Sequence, residues 1–154
     1  MIFIMNRALY PTCVAVIFAS LSLLCGCSTF EHDWEAAASA KPIGRADMTG
    51  RWQGTWASEA DTHTGGLRCL ITRLDDTTYH ARYAATFWGI FHFSYEMDLT
   101  AKQLPDHVIF EGEADLGAMA GGVYHYEGHA DAENYEATYR CSVDHGKFTM
   151  KRPE

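Results

Sequence analysis

From Met48 onward, apolar and polar residues alternate along most of this chain. The clearest stretch is Phe91-His92-Phe93-Ser94-Tyr95-Glu96-Met97-Asp98-Leu99, which changes character at every step. A period of two is the side-chain period of a strand buried on one face. Tyr79, Ala81, Tyr83, Ala85 and Phe87 alternate in the same way, with His80 and Arg82 opposite. So do Tyr135, Ala137, Tyr139, Cys141 and Val143, with Glu136, Thr138 and Arg140 opposite. Weaker strands are predicted at 50–56, 66–74, 107–116, 122–130 and 147–151, so eight segments recur roughly every 12 residues. Asp75-Asp76, Pro105-Asp106, the Gly117–Gly122 loop and Asp144-His145-Gly146 punctuate them. The pattern predicts an all-β fold: one small antiparallel meander that closes into an about eight-stranded barrel, so that no edge strand is left. A two-sheet β-sandwich is the alternative.

The opening strand reads Gly50-Arg51-Trp52-Gln53-Gly54-Thr55-Trp56. Its Gly50-x-Trp52 and Gly54-x-Trp56 elements resemble the first strand of lipocalin-like and avidin-like barrels. The resemblance covers seven residues; it implies a barrel and hints at ligand binding.

Ahead of this region the pattern changes. Arg7 is the one charge in an N-terminal stretch that leads into an unbroken apolar and small run, Val14 to Leu24. A charged start, an apolar run and small residues form the plan of a secretory signal. The run is roughly half of what a membrane-spanning helix needs. It ends in Leu24-Cys25-Gly26-Cys27, which resembles the lipobox of bacterial lipoproteins. That resemblance implies cleavage after Gly26 and acylation of Cys27, with palmitate-type chains holding the protein to a membrane. Two or more such chains anchor stably, where one alone does not. It also implies export and, with Ser28 rather than Asp after the modified Cys, placement on the outer membrane. The periplasmic face is expected there, the inner membrane or cell surface being alternatives. Residues 1–26 are thus read as a cleaved signal peptide, 27–47 as a lipidated Cys and flexible tether, and 48–154 as the barrel domain. A short helix around Trp34–Ala40 is compatible with the tether.

Charge narrows the class. Of the 12 basic residues only Arg7 precedes Cys27, so 11 basic residues face 20 acidic ones in the mature chain, a formal charge of −9. No basic footprint for nucleic acid exists, and an anionic lipid surface would repel the chain. Of the five cysteines, Cys13 and Cys25 leave with the signal and Cys27 takes the lipid. Cys69 and Cys141 remain, an even pair in an oxidising compartment, and are expected to form a disulfide. Its loop of about 70 residues would contribute about 4 kcal/mol.

Candidate chemistry is sparse. His125 and His129 bracket Glu127, but four residues of strand span about 13 Å, while zinc ligands lie about 2 Å from the metal. His125 and Glu127, about 6.6 Å apart on one face, could meet an ion, yet they read as a solvated polar face. No nucleophile elbow or phosphate loop is present. No enzyme activity, metal or cofactor is expected. The aromatic inward phase is the stronger signal. Trp52, Trp56, Tyr83, Phe93, Tyr95, Tyr124, Tyr126 and Tyr139 are the candidate ligand-lining residues, because small neighbours such as Ala81, Ala85 and Gly128 share their phase. The expected function is an envelope lipoprotein whose barrel binds a small apolar or aromatic ligand, or an envelope protein. The alternatives are a purely structural or interaction lipoprotein with a filled core and, third, a periplasmic hydrolase.

Overall fold

The computed structural model describes residues 25–39, 44 and 46–154, with residues 25–28 described by their backbone alone. The remainder of the leader, and the Cys27 side chain with its expected acylation, lie outside the described residues. The chain divides into two units, one ending at Ala36 and one running from Ala37 to Glu154. The first contains helix α1, Cys25–Ala36, in a stretch that the pattern assigned mainly to a tether. Phe30 and Trp34, four residues apart and therefore on one helical face, stack with ring centroids 5.8 Å apart. Among the described residues no helix is long and apolar enough to cross a membrane.

The second unit is all-β. Its strands are β1 Gly50–Ser58, β2 Thr64–Arg73, β3 Thr78–Phe87 and β4 Phe91–Gln103. They continue as β5 Val108–Asp115, β6 Val123–Ala130, β7 Asn134–Arg140 and β8 His145–Lys151. Each pairs antiparallel with the next, and β1 pairs with β8, so the sheet closes into an eight-stranded barrel. This architecture fits a lipocalin-like barrel. The burial pattern alternates along β3 as far as Thr86 and strictly along β7 and β8, as period two requires.

The connections sort by end. The turns at 74–77, 104–107 and 131–133 lie at one end with both termini of the barrel; we call it the lower end. Asp75 and Asp131 shape two of these turns, each carboxylate accepting two backbone N–H bonds at 2.8 Å. The four connections at 59–63, 88–90, 116–122 and 141–144 surround the opposite, upper end.

The lower end is plugged. Trp52, Met48, Tyr79, Tyr135 and Met150 are fully buried there. The Trp52 indole donates to the Met48 carbonyl at 2.8 Å. The Arg152 guanidinium lies 3.8 Å from the Trp52 ring centre. It donates one bond to the Asp47 carbonyl at 2.8 Å and another to the Thr49 carbonyl. Burial lowers the Arg152 pKa, and the Asp47 charge opposes that shift. The segment before β1 is thereby fastened under the barrel by the residue that follows β8.

The expected Cys69–Cys141 disulfide is not formed; both are free cysteines. Cys69 is mid-strand in β2, fully buried and paired in register with Trp52 and Tyr83. Cys141 lies one residue past β7, where the inward alternation has already given way to a turn. Its sulfur accepts the Asp144 N–H at 3.3 Å and crowds Gly121. The sequence phase of Cys141 is correct, but the strand ends before it applies.

Candidate functional site

Above the plug the interior is not filled. A cavity of about 310 Å³ opens at the upper end. Its wall is aromatic: Trp56 from β1, Phe93 and Tyr95 from β4, Tyr124 and Tyr126 from β6, and Tyr139 from β7 line it, with Phe148 from β8. Small or aliphatic side chains leave the space between them: Leu67 on β2, Ala85 on β3, and Leu116 and Ala120 from the 116–122 loop. The strand period dictates this set, because all the strand-borne members occupy the inward phase near the upper ends of their strands.

The rings pack as a connected wall. Tyr83 and Tyr95 stack at 5.0 Å, Tyr95 and Tyr126 at 6.0 Å, and Tyr139 meets Phe148 at 5.2 Å. Such offset contacts hold ring faces in fixed orientation. Trp56 is held by its indole N–H, which donates to the Thr86 carbonyl at 3.3 Å. Gly65 makes that reach feasible: a Cβ there would lie 2.6 Å from the indole nitrogen and 1.8 Å from the Thr86 oxygen. The Tyr124 hydroxyl donates to the Ala120 carbonyl at 2.8 Å, tying the loop to the wall. Burial raises the pKa of Tyr126 and, with Asp144 nearby, of Tyr124 and Tyr139, so all three hydroxyls stay neutral at ordinary pH.

Six of the eight candidate lining residues converge on this cavity, and two do not. Trp52 closes the lower end beneath Arg152. Tyr83 is buried below the cavity, where its hydroxyl meets that of Tyr135 at 2.6 Å. Phe87 and Ala85, which the pattern already places on the inward phase, line it too, as do Leu67, Leu116, Ala120, Phe148 and the turn residue Asp144, which were not selected. Phe148 could have been found from its inward phase; Asp144, in a turn, carries no periodic signal.

Part of the rim of the mouth is apolar, while the 59–63 connection is polar and exposed. Trp88 and Ile90 at the β3–β4 tip, Phe91, Met119 and Val143 are all exposed there. Trp88 adopts a left-handed backbone conformation, φ 49°, which a residue with a bulky side chain rarely takes. Its side chain is 72% exposed.

His125 and Glu127 both face outward from β6. His125 pairs with Glu113 at 2.7 Å, and Glu127 is in register with Glu111 and Thr138. His129 lies edge-on to His107 at 6.3 Å. Among the described residues, no group of three His, Cys, Asp or Glu side chains is placed to share a metal ion. Two larger concavities, of about 650 and 640 Å³, lie over the outer face of β4–β8. Their walls include exposed, water-solvated chains such as Lys102, Glu111, Glu127 and Lys147 beside a few buried apolar residues such as Phe110 and Tyr126. The interior cavity offers fixed apolar surface instead, which is the ordinary character of a small-molecule site.

No protein-family model and no curated protein matches this chain.

Proposed function

We propose that this chain is an exported lipoprotein, anchored to the outer membrane through acylated Cys27, and that its barrel binds a small, largely apolar ligand in the mouth cavity without a catalytic step. The cavity carries the reading. Its volume, about 310 Å³, falls at the lower end of the range for small-molecule sites, roughly 300–1,000 Å³. Its wall is fixed by strand pairing and by ring contacts, so a ligand meets preformed apolar surface and little ordering entropy opposes binding. The exposed apolar part of the rim, Trp88, Ile90, Phe91, Met119 and Val143, supports the same reading, since it continues the apolar surface outward from the wall.

Binding is tested by fluorescence titration of the chain with N-phenyl-1-naphthylamine, a neutral aromatic probe. Saturable enhancement at one probe per chain is expected; a linear, unsaturated rise would contradict the reading. The anchor is tested separately. Cys27→Ala is expected to abolish incorporation of labelled palmitate and to leave the precursor uncut, and unchanged labelling would refute it.

A second reading, a purely structural barrel, draws on the dense lower layer, where Trp52, Tyr79 and Tyr135 are all fully buried. Absence of saturable probe binding would favour it.

A further inference from the structure

We propose that the mouth cavity selects a cationic ligand, an ammonium group joined to a compact apolar body, with Asp144 as its counter-ion. The inference rests on the binding function proposed above and names the ligand class for that site.

Asp144 is the one charged side chain lining the cavity among the described residues. It is half-buried. Ser58 donates its hydroxyl to Oδ1 at 2.7 Å, and Tyr139 donates its hydroxyl to Oδ2 at 3.2 Å. No Lys, Arg or His pairs with it among the described residues; its neighbour Lys147 pairs with Glu59 at 2.6 Å instead. The backbone fixes its position. The Asp144 N–H donates to the Cys141 sulfur, and its carbonyl accepts the Cys141 N–H at 2.8 Å. The result is a preformed carboxylate held at the edge of an aromatic chamber, with hydroxyl donors but no cation.

Two physical arguments turn this into selectivity. A carboxylate withdrawn from water without a cationic partner is costly, and hydroxyl donors offset only part of the loss. A ligand cation would supply the missing charge. The rings beside it supply the second term: Tyr124 and Tyr126 stack at 6.2 Å, Tyr126 and Phe148 meet at 5.8 Å, and Tyr139 and Phe148 at 5.2 Å. Ring faces attract ammonium groups, and aromatic cages recognise them in this way. The same carboxylate repels an anion. A fatty-acid or aryl carboxylate would place like charges together in a chamber of low dielectric, where repulsion is stronger than in water.

The test uses three ligands of one shape, 2-phenylethylamine, 2-phenylethanol and phenylacetate, titrated calorimetrically into the chain at neutral pH. The amine is expected to bind roughly ten-fold or more tighter than the alcohol, with phenylacetate weakest. In Asp144→Asn, which keeps the Ser58 acceptor, the amine advantage should shrink to within about three-fold while the alcohol is little changed. Equal binding of all three ligands to the native chain, or a preference for phenylacetate, overturns the cation inference and leaves the binding function standing. Retention of the full amine preference in Asp144→Asn overturns the role of Asp144. Failure of all three to bind overturns the cation inference, and the neutral-probe titration then decides separately whether the binding function stands. The native-chain comparison does not depend on the variant folding.

Discussion

Raising the pH above about 10 is expected to unfold the barrel steeply. Tyr83 and Tyr135 are fully buried and share one hydrogen bond, their hydroxyls 2.6 Å apart. Burial holds both pKa values well above the ordinary 10.0, and neighbouring tyrosine and thiol groups add to the shift. Burial likewise raises the Cys69 thiol from its ordinary 9.0. All three groups therefore keep their protons more tightly in the folded state. Their stabilisation is complete below pH 9, is lost from Cys69 above that, and is lost from the tyrosines above pH 10. Each group removes about 1.4 kcal/mol per pH unit between its unfolded and folded values. The three losses run in the same direction, and a marginal domain has little stability to set against them. Circular dichroism and tyrosinate absorbance should then change together in one transition. Tyrosines that all titrate near 10 in a barrel that stays folded would contradict the buried Tyr83–Tyr135 pair.

The other large effect is expected at the lower plug. Trp52→Ala should destabilise the barrel by about 3–5 kcal/mol, the usual range for emptying a buried aromatic site. The indole fills the lower layer, meets Tyr135 at 5.6 Å, donates to the Met48 carbonyl and carries the Arg152 guanidinium. Arg152→Ala should cost less, about 2–3 kcal/mol, because it removes two charged hydrogen bonds and the ring contact but leaves the core filled. The double variant should fall short of the sum of the two by about 1 kcal/mol or more, since each residue gives the other its partner. Urea melts of the four proteins measure this. Strict additivity would mean that the guanidinium and the indole do not interact.

The barrel was legible because period two recurs in most strands from β1 to β8, and a mainly polar outer face fixes their register. The segment β4 shows why strand ends are harder to read. Its alternation is perfect from Phe91, yet Phe91 is exposed, because the strand extends beyond the point where opposing rings can cover it. Phase therefore reports direction but not height along the barrel axis. Trp52 and Trp56 illustrate the same limit. Both point inward from one strand, but one plugs the lower end and the other lines the mouth, a distinction set by the roughly 13 Å between them along β1. Cys141 was misread for a related reason: its parity matched Cys69, but a turn claims it first. Asp144 was invisible to any periodic argument. Its position depends on how the 141–144 turn folds back over Ser58 and Tyr139.

The most direct test of the account is a side-by-side titration of the native chain and Ala85→Phe with N-phenyl-1-naphthylamine. Ala85 lines the cavity from β3, in register with Leu67 and Phe93, so a phenyl ring there would occupy the space itself. The account predicts saturable binding at one site in the native chain and at least about ten-fold weaker binding in Ala85→Phe, with the circular dichroism of the barrel retained. Equal affinity in the two proteins would place the probe elsewhere and contradict the mouth cavity as the binding site.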